Sequence, residues 1–201
     1  MKFSQFTLNK KLLSAINDMG YVNPTPIQEK AIPIALQGKD VLGLAQTGTG
    51  KTASFMLPIL EKLSKGSLRK VRALVIAPTR ELAEQIHQSA ISLAKHMPIQ
   101  SLSIYGGVSK YGQVKNLKKG VEIIIACPGR LLDLIGDGII NLSKVEILVL
   151  DEADTMCDMG FLPDVRRIMR YLSKDIQILF FAATMPDEIK QLTEDILHNP
   201  H

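Results

Sequence analysis

Apolar residues along this 201-residue chain follow two alternating rhythms. Short, nearly continuous runs occupy 40–45, 72–77, 100–105, 121–126, 145–150 and 177–182, and each suits one buried strand. Between them, helical patterns run over 51–63, 80–96, 109–117, 129–135 and 162–172. Strand and helix in alternation predict βαβ units and a mainly parallel sheet. A run such as Ile123-Ile124-Ile125 has no polar face, so the sheet should carry helices on both sides. The expected fold is therefore a doubly wound α/β domain. Ligands of such a domain bind beyond the carboxyl ends of its strands.

About forty residues of another character come first. Apolar residues at 8, 12, 13, 16 and 19 predict a helix, which Gly20 closes. Pro24-Thr25-Pro26 forms a stiff turn into a second helix over 27–36. The expected division is a helical segment, 1–38, packed on a domain formed by 39–201. With 46% hydrophobic and 22% charged residues, the chain reads as a soluble globular protein. No apolar run approaches the roughly 18 residues of a membrane helix. The amino terminus lacks the apolar stretch of a signal peptide, which predicts a cytoplasmic protein. Cys127 and Cys157 lie thirty positions apart, and His87, His96, His198 and His201 show no ligand spacing, so neither zinc nor redox chemistry is expected. A net charge of +4 permits contact with an anionic polymer. The absence of Trp and the 5% aromatic content argue against a broad base-stacking surface.

The chemistry sits just after the strands. Ala45-Gln46-Thr47-Gly48-Thr49-Gly50-Lys51-Thr52 joins the first strand to a helix, and apart from Ala45 it fits the P-loop pattern. Gly48 and Gly50 let the backbone turn its N–H groups toward an anion, and the helix amino terminus adds partial positive charge. Lys51 would reach the β- and γ-phosphates of ATP, and Thr52 would offer a hydroxyl to Mg²⁺. After the fifth strand comes Asp151-Glu152-Ala153-Asp154. Asp151 would hold Mg²⁺, mostly through water. Glu152 would orient or deprotonate an attacking water. Lys51, Asp151 and Glu152 are thus the candidate catalytic groups.

The tetrapeptide 151–154 after Val149-Leu150 resembles the DEAD-box RNA helicases, with further motifs in that family's order along nearly the whole chain. The run after the P-loop gives the resemblance a bacterial cast. It implies a RecA-like P-loop NTPase domain. Residues 20–28 resemble the Q motif, and Phe3 lies seventeen residues before Gly20, where the family places an isolated aromatic. The resemblance implies that Gln28 pairs with the adenine edge, that Phe3 packs on the ring, and that Tyr21 belongs to the same site. Gln46, Thr47 and Thr49 complete the nucleotide loop. Pro78, Thr79 and Arg80 resemble motif Ia, Gly106-Gly107 the GG motif, and Pro128-Gly129-Arg130 motif Ib; all three are implied to hold the sugar–phosphate backbone of RNA. Ala182-Ala183-Thr184 resembles motif III, usually Ser-Ala-Thr, and with Asp154 is implied to couple ATP to the rest of the machine. Cys127 stands where the family usually has Thr, and a thiol is the weaker donor.

The resemblance also implies a second RecA-like domain carrying the remaining motifs, which the 201 residues do not contain. The expectation is a monomeric domain that binds adenine nucleotide and, alone, hydrolyses ATP very poorly. Two other readings fit some of the same residues: a P-loop motor acting on DNA or protein, and a non-catalytic ATP-binding module.

Overall fold

The computed structural model describes residues 2–201. A 3₁₀ turn at Phe3–Gln5 precedes α1 (Lys10–Asp18) and α2 (Pro26–Leu36). Then come β1 (Val41–Leu44), α3 (Lys51–Leu63), β2 (Ala73–Ile76), α4 (Arg80–Leu93), β3 (Ser101–Ile104), α5 (Lys110–Leu117) and β4 (Ile123–Ala126). The chain continues through α6 (Pro128–Gly136), β5 (Ile147–Leu150), α7 (Ala153–Asp158), α8 (Leu162–Met169), β6 (Gln177–Ala182) and α9 (Asp187–Ile196). All six predicted strands are present. The helices α7 and α9 add to the predicted set.

The sheet is wholly parallel, in the order β1-β6-β5-β2-β4-β3. Side chains alternate between two cores, as the two-residue period of a strand requires. Ala73, Val75, Ile123, Ile125, Val149, Leu179 and Phe181 face α1–α4. Leu74, Ile76, Ile124, Leu148, Leu150, Phe180 and Ala182 face α5–α9. Leu12 and Ile16 of α1 and Ile32 of α2 are buried in the first of these cores. Gly43 has a packing reason: a Cβ there would lie 2.5 Å from the Phe181 ring. Pro58 lies inside α3, which continues to Leu63.

The register aligns the carboxyl ends of the strands. Leu44 pairs with Ala182, Ile76 with both Leu150 and Ala126, and Ile104 with Ala126. Strand order then divides the top of the sheet. The nucleotide-type turns follow β1, β6 and β5. The turns that the resemblance implies for a sugar–phosphate backbone follow β2, β4 and β3.

At the opposite end, one carboxylate organises the β1 edge. Buried Asp40 accepts from the Ile178 amide at 2.8 Å and the His198 amide at 2.8 Å. Alongside it, the Leu42 amide donates to the His201 carbonyl at 2.9 Å, and the His201 amide donates to the Asp40 carbonyl at 3.2 Å.

Candidate functional site

The loop after β1 reaches α3 through two left-handed glycines, Gly48 (φ 85°) and Gly50 (φ 93°). Gly50 caps α3, so Lys51 opens the helix with its side chain directed inward. Lys51 is only 5% exposed. Its Nζ lies 3.6 Å from Asp151 Oδ1 and makes no hydrogen bond. A buried ammonium without hydrogen bonds is costly. Its position at a helix amino terminus suits an incoming anion. Thr52, the next residue, is half-buried.

Asp151 follows β5 and is 1% exposed. Burial pushes its carboxyl up to about 6, with Lys51 pulling it down and Glu152 pushing it further up. A native-state value above that of the unfolded chain means that ionising Asp151 costs stability as pH rises. The cost is absent below the ordinary value of 3.8 and fully present above about 6. Replacing Asp151 with Asn should therefore help the nucleotide-free protein progressively, by up to about 3 kcal/mol relative to the parent between pH 4 and pH 7. Paired denaturation curves at the two pH values check this; a constant difference would exclude a raised Asp151.

Glu152 adopts the left-handed conformation (φ 51°, ψ 51°) as it caps α7. Such a geometry at a non-glycine residue costs of order 1 kcal/mol or more and clusters at functional sites. The Glu152 amide donates to Asp151 Oδ1 at 3.0 Å, while its carboxylate accepts the Thr47 hydroxyl at 2.8 Å. Two residues on, Asp154 Oδ2 accepts from the Ala183 amide (3.1 Å), the Thr184 amide (2.8 Å) and the Thr184 hydroxyl (3.0 Å). Burial opposes ionisation of Asp154, but these bonds outweigh it and hold its carboxyl below the ordinary range. The β5 and β6 turns are thus tied directly. Ala182 itself is fully buried in the second core.

Gln28 and Phe3, the two residues read as adenine contacts, are both buried and already partnered. Gln28 is 4% exposed, and both ends of its amide are engaged. Its oxygen accepts from the Thr25 amide at 3.0 Å, capping α2, and its nitrogen donates to the Gly50 carbonyl at 3.0 Å. The amide therefore faces the P-loop. Phe3 is 4% exposed, packed edge-on against Phe6 and stacked at 6.0 Å on Tyr21. Tyr21 is the ring open to solvent.

The other three turns adjoin one another. Pro78 is buried, the Thr79 hydroxyl caps α4 by accepting from the Leu82 amide at 3.2 Å, and exposed Arg80 lies 4.9 Å from the Tyr105 ring centre. Gly106 and Gly107 are exposed, with Gly107 left-handed. Pro128 is buried at the start of α6 and Gly129 is exposed. Arg130 turns inward: both terminal nitrogens donate to the Val108 carbonyl at 3.3 Å. Cys127 makes no side-chain cap for α6, and burial pushes its thiol up to about 11.

Thr47, Lys51, Asp151, Tyr21, Arg80 and Glu84 line one cavity of about 850 Å³. Glu84 was not among the sequence candidates. It accepts from Gln88 at 2.8 Å and Ser103 at 2.9 Å, and only its helical spacing from Arg80 hinted at a common face. Among the described residues no group of three or more His, Cys, Asp or Glu forms a metal cage. The donor set of one buried carboxylate and one threonine hydroxyl fits Mg²⁺ that shares its remaining sites with phosphate and water.

A family model described as DEAD/DEAH box helicase matches residues 25–192. The ATP-dependent RNA helicase CshA of Listeria monocytogenes is 46% identical over 199 residues, which is 99% of this chain and 38% of that protein. The DEAD-box ATP-dependent RNA helicase RhpA of Helicobacter pylori is 47% identical over 198 residues, 98% of this chain and 40% of that protein. The crystal structure of a DEAD box protein from Methanococcus jannaschii matches with a TM-score of 0.93 at 39% identity, over 100% of this chain and 55% of that one. That of a hypothetical ATP-dependent RNA helicase from Sulfolobus tokodaii gives 0.88 at 39% identity, over 96% and 56%. These matches bear out the RecA-like fold. The chain spans about two fifths of the length of these curated relatives.

Proposed function

From the premise that the chain belongs to the DEAD/DEAH box helicase family, we propose that it is the nucleotide-binding half of an ATP-dependent RNA helicase. The observation that carries this is the Lys51 ammonium, buried at a helix amino terminus beside Asp151 without a hydrogen-bond partner. Lys51 and the backbone N–H groups of 48–52 grip the β- and γ-phosphates of ATP. Thr52 and Asp151 hold Mg²⁺, largely through water, and when bound it neutralises charge on the phosphates. Above pH 6 the Asp151 carboxylate is available for this. Glu152 orients the attacking water or takes its proton, once the Thr47 hydroxyl has released it. Tyr21 offers the exposed ring for adenine, with Phe3 backing it. Gln28 meets the adenine edge only after giving up its bond to Gly50.

Arg80, Gly106, Gly107 and Gly129 present charge and backbone N–H groups to the phosphates of one RNA strand, with Pro78, Thr79, Pro128 and Arg130 shaping those turns. Such contacts read no bases, so binding is largely sequence-independent and weakens with salt. Asp154 and Thr184 carry the state of the nucleotide toward β6, and Ala182 supplies packing where a serine hydroxyl is usual. A second RecA-like domain completes the site; an arginine supplied in this way is worth about 10³–10⁵ in rate. Without it the chain binds adenine nucleotide and turns it over very slowly. No described helix is long and apolar enough to cross a membrane, and the cytoplasm, where ATP and RNA meet, is the proposed compartment.

The test is ATP hydrolysis, with the second domain supplied, in the presence of single-stranded RNA, matched DNA, or neither. Stimulation by RNA alone is expected. Equal stimulation by DNA would favour a motor on another polymer, and none by either would leave an ATP-binding module.

A further inference from the structure

The helix α5 begins three residues after Gly107, and the proposed function leaves its outer face unused. Its inner face is accounted for: Val114 and Leu117 pack on the second core, and buried Gln113 donates to the Tyr105 carbonyl at 3.0 Å. The outer face carries Tyr111, which at 77% exposure is the most exposed large apolar side chain among the described residues. Leaving an aromatic ring this open forgoes burial that most tyrosines obtain. Lys115 and Lys118 follow at helical intervals of four and three, so the ring and two ammonium groups form one stripe. Neither ammonium has a partner among the described residues. From 106 to 121 the chain has four lysines and no acidic residue.

The aromatic end of the stripe is anchored at the turns already described. Arg130 of α6 binds the Val108 carbonyl, and Lys110 pairs with Asp133 of the same helix (3.0 Å) and with Asp137 just past its end. Tyr111 therefore rides on a short segment fixed between Gly106-Gly107 and Pro128-Gly129. Lysines 115 and 118 extend from it down the side of the domain, over about 10 Å of helix. An aromatic face followed by free cations is what an unpaired nucleotide needs: stacking for the base, charge for the flanking phosphates.

We infer that α5 is an additional single-strand RNA contact, in which Tyr111 stacks on an unpaired base as the strand leaves the glycine turns and Lys115 and Lys118 hold the following phosphates. This rests on the RNA-binding reading above. It adds a base contact to a surface that otherwise touches only backbone, so the tract favours single strands over duplex, whose bases are already stacked.

Fluorescence anisotropy with labelled single-stranded RNA tests it, at several salt concentrations, on the 201-residue chain. Tyr111→Ala should bind about tenfold more weakly with an unchanged salt slope, and Tyr111→Phe should recover nearly all of the loss. Lys115→Gln and Lys118→Gln should each weaken binding severalfold and each lower the log–log salt slope by about 0.7. An abasic site in the RNA should erase the difference between the parent and Tyr111→Ala. Arg80→Ala provides the control. If Arg80→Ala loses binding while Tyr111→Ala stays within about twofold of the parent, the α5 contact is overturned and the RNA reading stands. If the parent chain binds no RNA, both are overturned.

Discussion

Glu152→Gln should lower RNA-stimulated ATP turnover by about 10²–10⁴-fold while leaving nucleotide binding nearly intact. The amide keeps the shape of the carboxylate and can still accept the Thr47 hydroxyl, so the 2.8 Å link across the cleft survives. What it loses is the ability to take a proton. The expected split is therefore a collapse of kcat with little change in affinity, the pattern of an interaction made only in the transition state. Steady-state hydrolysis with RNA and the second domain present, beside equilibrium binding of a fluorescent ATP analogue, reads both quantities. Turnover within tenfold of the parent would remove Glu152 from the role of base.

Lys51→Ala should act at the earlier step. Its ammonium is 5% exposed, and an anionic phosphate reaching it would make charge-assisted hydrogen bonds in a dry setting. Removing one partner of such a buried contact costs about 3 kcal/mol or more, which is at least about a hundredfold in affinity. Asp151 responds as well. Lys51 is the neighbour that pulls its carboxyl down, so without it the group titrates still higher. The variant should thus lose nucleotide affinity and show a weaker response to Mg²⁺ near pH 6, both measurable by titration with the same analogue. Affinity within about threefold of the parent would mean that the P-loop backbone alone carries the phosphates.

The strand–helix rhythm was legible because a parallel sheet covered on both faces leaves apolar runs that nothing polar interrupts. The bounds of α3 and β6 were readable to the residue. The helix α7 was not, since six residues rich in acid and polar groups carry too short a pattern, and its start depends on the left-handed Glu152. The helix α9 did leave a sign, with Ile189, Leu192 and Ile196 at helical spacing, but its polar remainder masked it. The site's members were visible as motifs while their partners were not. Nothing local links Thr47 to Glu152, 105 positions away, or turns Gln28 toward Gly50. The first is a product of strand order, which places β1 and β5 on either side of β6, and the second of α2 packing on α3; a sequence pattern does not encode which elements become neighbours.

The Asp40 clamp has a consequence for how copies of this domain can meet. An open parallel sheet has two rims, and each is a template on which another chain can pair. Residues 198–201 already occupy the start of the β1 rim, through the paired bonds between His201 and the Asp40–Leu42 backbone. The β3 rim is only four residues long, and His87 already contacts the Ser101 carbonyl there. With the start of one rim filled, strand-to-strand association is directed to the other, where it uses the same surface on both copies and ends at a closed pair. Growth into a filament needs two complementary rims, and residues 198–201 shorten one of them.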